Sequence, residues 1–128
     1  MEGIDTNVLV RYLVKDDLKQ YEQSIQLLTN SKHIFLSPVV LVETVWVLTH
    51  FYQVEREHQH EMLRAVISLQ RFVTQDRQAV LRALDDYSKG FDFADAMIGH
   101  HNGLQCQTTW TFDRKASRLD AFSLMNKA

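Results

Sequence analysis

A chain of 128 residues, 45% of them hydrophobic, with 4 Gly and 1 Pro has enough apolar material for a real core, which excludes a disordered or low-complexity protein. The single cysteine, Cys106, cannot form an internal disulfide, and no apolar run approaches the roughly 20 residues of a membrane helix. A soluble, cytoplasmic protein with no leader segment is therefore expected. The formal net charge of −2 does not exclude a nucleic-acid partner, because setting aside a few carboxylates clustered at one metal site leaves the rest of the chain positive.

Residues Glu2–Asp5 predict a short first strand passing directly into an apolar-periodic helix from Asn7 to about Val14. A second helix is expected from near Leu18 to Asn30, with Tyr21, Ile25 and Leu28 on one face, then a strand over His33–Leu36. Ser37 is a good N-cap and Pro38 suits the first position of the helix that follows, through Leu48. Glu55–Gln70 is helical, with Met62, Ala65, Val66 and Leu69 at core spacing, and Phe72-Val73 is a short strand. Asp76–Lys89 carries Ala79, Val80, Ala83 and Leu84 and is closed by Gly90. A helix from Asp92 ends near Asn102-Gly103, followed by a strand over Leu104–Thr109, a short helix Asp113–Leu119 and an edge strand Phe122–Met125. Strands alternating with helices imply a single α/β domain over residues 1–128, three-layer α/β/α with a mostly parallel central sheet.

Glu43 needs a particular explanation. It sits mid-helix in the most apolar stretch of the chain, with Val39, Val40, Trp46 and Val47 three and four residues away and no Lys or Arg between Lys32 and Arg56. A lone buried carboxylate is expensive, so it takes a proton, a distant partner or a cation. Three further acids stand near strand ends, where ligands of parallel sheets bind. Asp5 follows the first strand and also suits an N-cap. Asp92 and Asp95 share the start of one helix in capping-box spacing, Asp92 as cap and Asp95 inside the first turn. Asp113 precedes Arg114-Lys115-Ala116 and equally suits a cap. If Asp5, Glu43, Asp95 and Asp113 meet, their like charges raise one another's pKa, and a hard divalent cation relieves them. Such a metal generates hydroxide and stabilises charge on a phosphoryl oxygen.

In order, Asp5-Thr6-Asn7-Val8-Leu9, Glu43 within Val42-Glu43-Thr44, Asp95-Ala96-Met97-Ile98 and Thr111-Phe112-Asp113 cover nearly the whole chain. The chain resembles PIN-domain ribonucleases, most closely the VapC-like toxins of type II toxin–antitoxin pairs. The resemblance implies endonucleolytic cleavage of RNA with Mg²⁺, Mn²⁺ being a substitute. It implies that Asp5, Glu43, Asp95 and Asp113 bind the metal and position the attacking water, and that Asn7 and Thr111 orient those carboxylates. It also implies a homodimer and an antitoxin that blocks the groove. One departure is Gly99, where the family often has alanine, at a cost to the helix of about 1 kcal/mol.

Arg11 shares the helix face nearest Asp5, and Arg114, Lys115 and Arg118 follow the fourth acid; Arg11 and Arg114 in particular are expected to hold RNA phosphates. His58 with His60, and His100 with His101, lack the spacing of a helical zinc site and are expected at the surface. Cys106 is expected in the core, and Trp46 and Trp110 in the core or at a dimer surface rather than as base-stacking platforms. Two other functions remain open: a PIN fold without catalysis that binds RNA or protein, and a phosphoacceptor receiver domain. The receiver needs a phosphorylatable Asp ending a central strand, whereas Phe72-Val73-Thr74 leads into Gln75-Asp76.

Overall fold

In the computed structural model, which describes residues 1–125, the chain forms two units, Met1–Arg77 and a second from Gln78 onward. The first unit holds strands β1 (Glu2–Gly3), β2 (Ile34–Leu36) and β3 (Phe72–Thr74) in the order β1-β2-β3. Both pairings are parallel, with Gly3 opposite Phe35 and Ile34 opposite Phe72. Parallel neighbours need long crossovers. Helices α1 (Thr6–Val14) and α2 (Leu18–Asn30) make the first; α3 (Pro38–His50) and α4 (Arg56–Ser68) make the second. Leu9, Ile34, Leu36, Leu41, Leu48, Leu63, Ile67 and Phe72 are fully or almost fully buried.

Local chemistry sets where these helices start. Asp5 caps α1 by accepting from the Val8 amide at 3.2 Å, so β1 ends two residues before the expected limit. Asp17 caps α2 through the Gln20 amide at 3.0 Å. Ser37 caps α3 through the Val40 amide at 3.2 Å, with Pro38 at the first helical position, as expected. The core face of α4 differs from the predicted one: Gln59, Leu63, Val66 and Ile67 are buried, whereas Ala65 and Leu69 are exposed. Gln59 decides this register. Its Nε2 donates to Thr49 Oγ1 and to the Val54 carbonyl, both at 2.9 Å, tying α4 to the turn after α3 in which Gln53 adopts φ 52°.

The second unit holds α5 (Arg77–Ser88, counted from Gln78), α6 (Phe93–Asn102), and strands β4 (Thr109–Thr111) and β5 (Phe122–Leu124), which pair in parallel with Thr109 opposite Phe122. Ala79, Val80, Ala83 and Leu84 of α5 are buried as the periodicity predicts, together with Tyr87. Gly90 follows with φ +105°, the left-handed conformation that glycine adopts without strain. The expected strand over Leu104–Thr109 is corrected. Amides of Leu104, Gln105 and Cys106 bond back to the carbonyls of His101 and Asn102, so the end of α6 runs into turns and the strand begins only at Thr109. Cys106 is consequently exposed rather than in the core. The expected helix over Asp113–Leu119 is a single 3₁₀ turn, Ala116–Arg118. The chain is thus α/β with parallel strands throughout, and no described helix is long and apolar enough to cross a membrane.

Gly99 is more than a helix-weakening substitution. A Cβ there would lie 2.6 Å from Phe122 Cε2 and 3.2 Å from Ala121 Cβ. Helix propensity alone would make Gly99→Ala stabilising by about 1 kcal/mol, but overpacking of this kind costs about 1–3 kcal/mol. Gly99→Ala is expected to lower stability in urea unfolding, and an alanine variant more stable than the wild type would show that α6 and β5 are not in this contact.

Candidate carboxylate site

In the first unit, Asp5 and Glu43 line one cavity of about 430 Å³ with Thr6, Asn7, Trp46 and Val47. The position of Asp5 follows from β1: the strand stops, the aspartate caps, and α1 begins. Its Oδ1 accepts the capping bond, which leaves Oδ2 for another partner. Glu43 is corrected from the apolar setting its sequence neighbours suggest. Helix α3 turns Leu41, Thr44, Val45 and Leu48 inward, while Val39, Glu43 and Trp46 are exposed. The Glu43 carboxylate is therefore solvated, and Oε1 accepts a 2.8 Å bond from Thr6 Oγ1. Thr6 is the side chain that holds Glu43, while Asn7 lines the same cavity. Thr6 stands in the Asp5-Thr6-Asn7 motif, but its target lies 37 residues away and is set only by the packing of α1 beside α3.

Arg11 is held in a polar network. Its Nη1 donates to Asp16 Oδ1 at 3.0 Å and to Tyr52 Oη at 2.8 Å, and its Nε donates to Gln20 Oε1 at 2.6 Å. Tyr52 donates in turn to Asp16 Oδ2 at 2.7 Å. The Tyr52 hydroxyl and the Arg11 charge hold the Asp16 carboxyl below the usual carboxylate range, and the same bond to Asp16 pushes the Tyr52 phenol up. Arg11 also lines a cavity of about 390 Å³ with Asp5 and Asn7, and its Nη2 carries two further donors.

In the second unit, Asp92 caps α6, accepting from the Asp95 amide at 2.9 Å. Asp95 is half-buried in the first turn. Burial raises its pKa above the ordinary carboxylate value, and the charges of Asp92 and Asp113 raise it further. Asp113 Oδ1 accepts from the Ala116 amide at 2.9 Å, capping the 3₁₀ turn. Thr111 Oγ1 accepts from the Asp113 amide at 3.0 Å and so orients that residue's backbone rather than its carboxylate. Arg114, Lys115 and Arg118 are exposed. Of the four histidines expected at the surface, only His58 is exposed. His100 Nε2 lies 2.6 Å from Asp86 Oδ2, and His101 Nδ1 lies 2.8 Å from the Met97 carbonyl. Trp46 and Trp110, expected in the core or at a dimer surface, are exposed in the single chain.

Among the described residues, no group of three or more His, Cys, Asp and Glu side chains is arranged to hold a metal ion. Taken unit by unit, Asp5 and Glu43 on the one hand and Asp95 with its neighbours Asp92 and Asp113 on the other offer only carboxylate oxygens, donors whose chemistry suits a hard divalent cation.

Parallel strands, two of which hand over to the following turn or helix through the acidic caps Asp5 and Asp113, define an α/β protein with polar chemistry at its strand ends. The PIN domain family model matches residues 4–121, a span that includes all four acids, and the chain belongs to the PIN domain family, a nuclease-type fold. Neither the curated proteins nor the solved structures yielded a match.

The raised pKa of Asp95 gives stability a sign. In the window just above the ordinary carboxylate pKa, the folded chain holds a proton that the unfolded chain has released, so the contribution of Asp95 to stability falls as pH rises and at neutral pH is a net cost. Asp95→Asn is expected to melt above the wild type at pH 7 without added metal, by a few degrees at most, with the difference shrinking as pH falls through the carboxylate range. A difference that widened towards low pH would contradict the like-charge account.

Proposed function

We propose that this PIN-domain protein is a Mg²⁺-dependent endoribonuclease, with Mn²⁺ as a substitute, acting in the cytoplasm as the homodimeric toxin of a pair with a cognate antitoxin. The observation that carries the reading is the state of Glu43. It stands exposed in the middle of a helix, caps nothing, and shares a cavity with Asp5 while receiving its hydrogen bond from Thr6. Helix stability does not require a carboxylate there, and membership of a nuclease-type family gives it a use. The same membership removes the receiver-domain alternative.

Asp5, Glu43, Asp95 and Asp113 are the residues that would hold the metal. When bound, the ion supplies an activated water and charge stabilisation on the phosphoryl oxygens of the scissile bond. The chain's own residues do the rest. Thr6 holds one oxygen of Glu43 and leaves the other free to act. Asp92 and Thr111 fix the backbone from which Asp95 and Asp113 project. Asn7 lines the cavity beside Asp5 and would orient its carboxylate. Arg11 and Arg114 would hold RNA phosphates. Arg114 is exposed and does so as a mobile charge; Arg11 is already oriented by Asp16, Gln20 and Tyr52 and does so through Nη2.

The test is cleavage of a structured RNA pool by purified, antitoxin-free protein with Mg²⁺ and with EDTA. Cutting is expected only with Mg²⁺, and Asp5→Asn and Glu43→Gln are each expected to lower it on the order of 100-fold or more, matching the several kcal/mol of transition-state stabilisation that a metal provides. Folded protein that binds RNA without cutting it would favour the binding-module reading instead. Arg114→Glu is expected to weaken RNA binding and to reduce the slope of log affinity against log salt by about 1; an unchanged slope would take Arg114 out of the phosphate contacts.

A further inference from the structure

The first unit leaves one aromatic cluster in solvent. Trp46 is 55% exposed and Phe51 73% exposed. The Trp46 indole packs against His50 with centroids 4.6 Å apart and against Phe51 at 6.0 Å. These contacts order the indole without burying it. Trp46 lies three residues after Glu43 on α3, which puts their Cβ atoms about 5–6 Å apart on one face, and it lines the same cavity as Asp5 and Glu43.

We propose that Trp46 is the stacking platform for an unpaired nucleobase of the RNA, seated beside the Asp5–Glu43 cavity. The proposal rests on the ribonuclease reading and specifies which form of RNA the site accepts. The lining of the cavity fixes the orientation of the occupant. Asp5, Thr6, Asn7, Glu43, Trp46 and Val47 include two carboxylates and, among the described residues, no Lys or Arg. A phosphate is repelled by that lining except where a cation sits, so the part of a nucleotide that can rest on Trp46 is its neutral, flat base. Because the indole lines the same cavity as the two carboxylates, a nucleotide whose phosphate sits at the carboxylates has its base within reach of Trp46. Stacking accepts any base, because every base has a π-face, but it needs the base out of a helix.

The experiment uses the full chain carrying Trp110→Phe, which leaves Trp46 as the reporter because the sequence contains 2 Trp. A single-stranded oligoribonucleotide, mixed rapidly with the protein in Mg²⁺ and read before cutting proceeds, is expected to quench Trp46 fluorescence saturably, and the same sequence as a blunt duplex is not. In Mg²⁺, Trp46→Ala is expected to raise KM for the single strand about 5- to 100-fold, with kcat changed much less, and Trp46→Phe to recover most of the loss. An unchanged KM in Trp46→Ala, beside an active wild type, overturns the stacking role and leaves the nuclease reading standing. Saturable quenching by a wild-type-like protein that never cuts keeps the stacking role and overturns the nuclease reading. If Trp46→Ala turns a dimer into a monomer in sedimentation, the cluster is an interface with a second copy and the proposal fails.

Discussion

Parallel pairing is the constraint on which the rest depends. Two parallel neighbours in a sheet run about 4.8 Å apart and must each continue from the same edge. In the first unit β1 passes through Asp5 into α1, and β2 passes through Ser37 into α3, so both helices start side by side. Thr6 in the first turn of α1 then meets Glu43 in the second turn of α3, and the 2.8 Å bond between them follows from the topology. An antiparallel arrangement of the same strands would have placed these helix starts at opposite ends. The second unit repeats the device on a smaller scale: β4 ends at Thr111, and Asp113 caps the turn that leads towards β5.

Two aspartates show how differently the fold treats its acids. Asp16 receives a hydroxyl and a guanidinium, and its pKa falls; the group works for the structure, closing α1 against the turn after α3. Asp95 receives burial and two like charges, and its pKa rises. Perturbed carboxylates of this kind are concentrated at functional sites, and among the described residues Asp95 is the one acid of the second unit in that state. Uncompensated charge of this sort persists where something else neutralises it in the working protein, and a hard cation is the neutraliser that oxygen-only donors suit. The contrast also separates the basic residues, since Arg11 is committed to an internal network and Arg114 to solvent.

Much of this was legible in the sequence, for reasons that stay local. Ser37 with Pro38, and Asp92 three residues before Asp95, announce helix starts through bonds spanning three residues, and both bonds are present. The alternation of strands and helices gave parallel pairing and the α/β class. The failures share a different cause. Helix α3 is apolar on almost every face, so its periodicity cannot say which side is buried, and the apolar neighbours of Glu43 in sequence do not surround it in the fold. The segment after α6 contains Leu104, Cys106 and Thr109, a pattern that suits a strand, but amide bonds back to His101 and Asn102 keep its first part in turns. Gly99 looked like a weak helix residue until Phe122 and Ala121 appeared beside it. Thr6 was in view beside Asp5, yet its role requires knowing that α1 and α3 are neighbours. Exposure of Trp46, and hence its use, is equally a property of packing rather than of residue type.

Under the proposed function, Asp5, Glu43, Asp95 and Asp113 are the residues that would hold the metal. The most direct test is titration of isotopically labelled protein with Mn²⁺ below one equivalent, followed by paramagnetic broadening in NMR spectra. The account predicts that resonances around all four acids broaden together, that Mg²⁺ in excess restores them, and that Asp95→Asn weakens the effect at Asp5 as well as at Asp113. Broadening confined to the acids of one unit, or unrelated to any of the four, would contradict it.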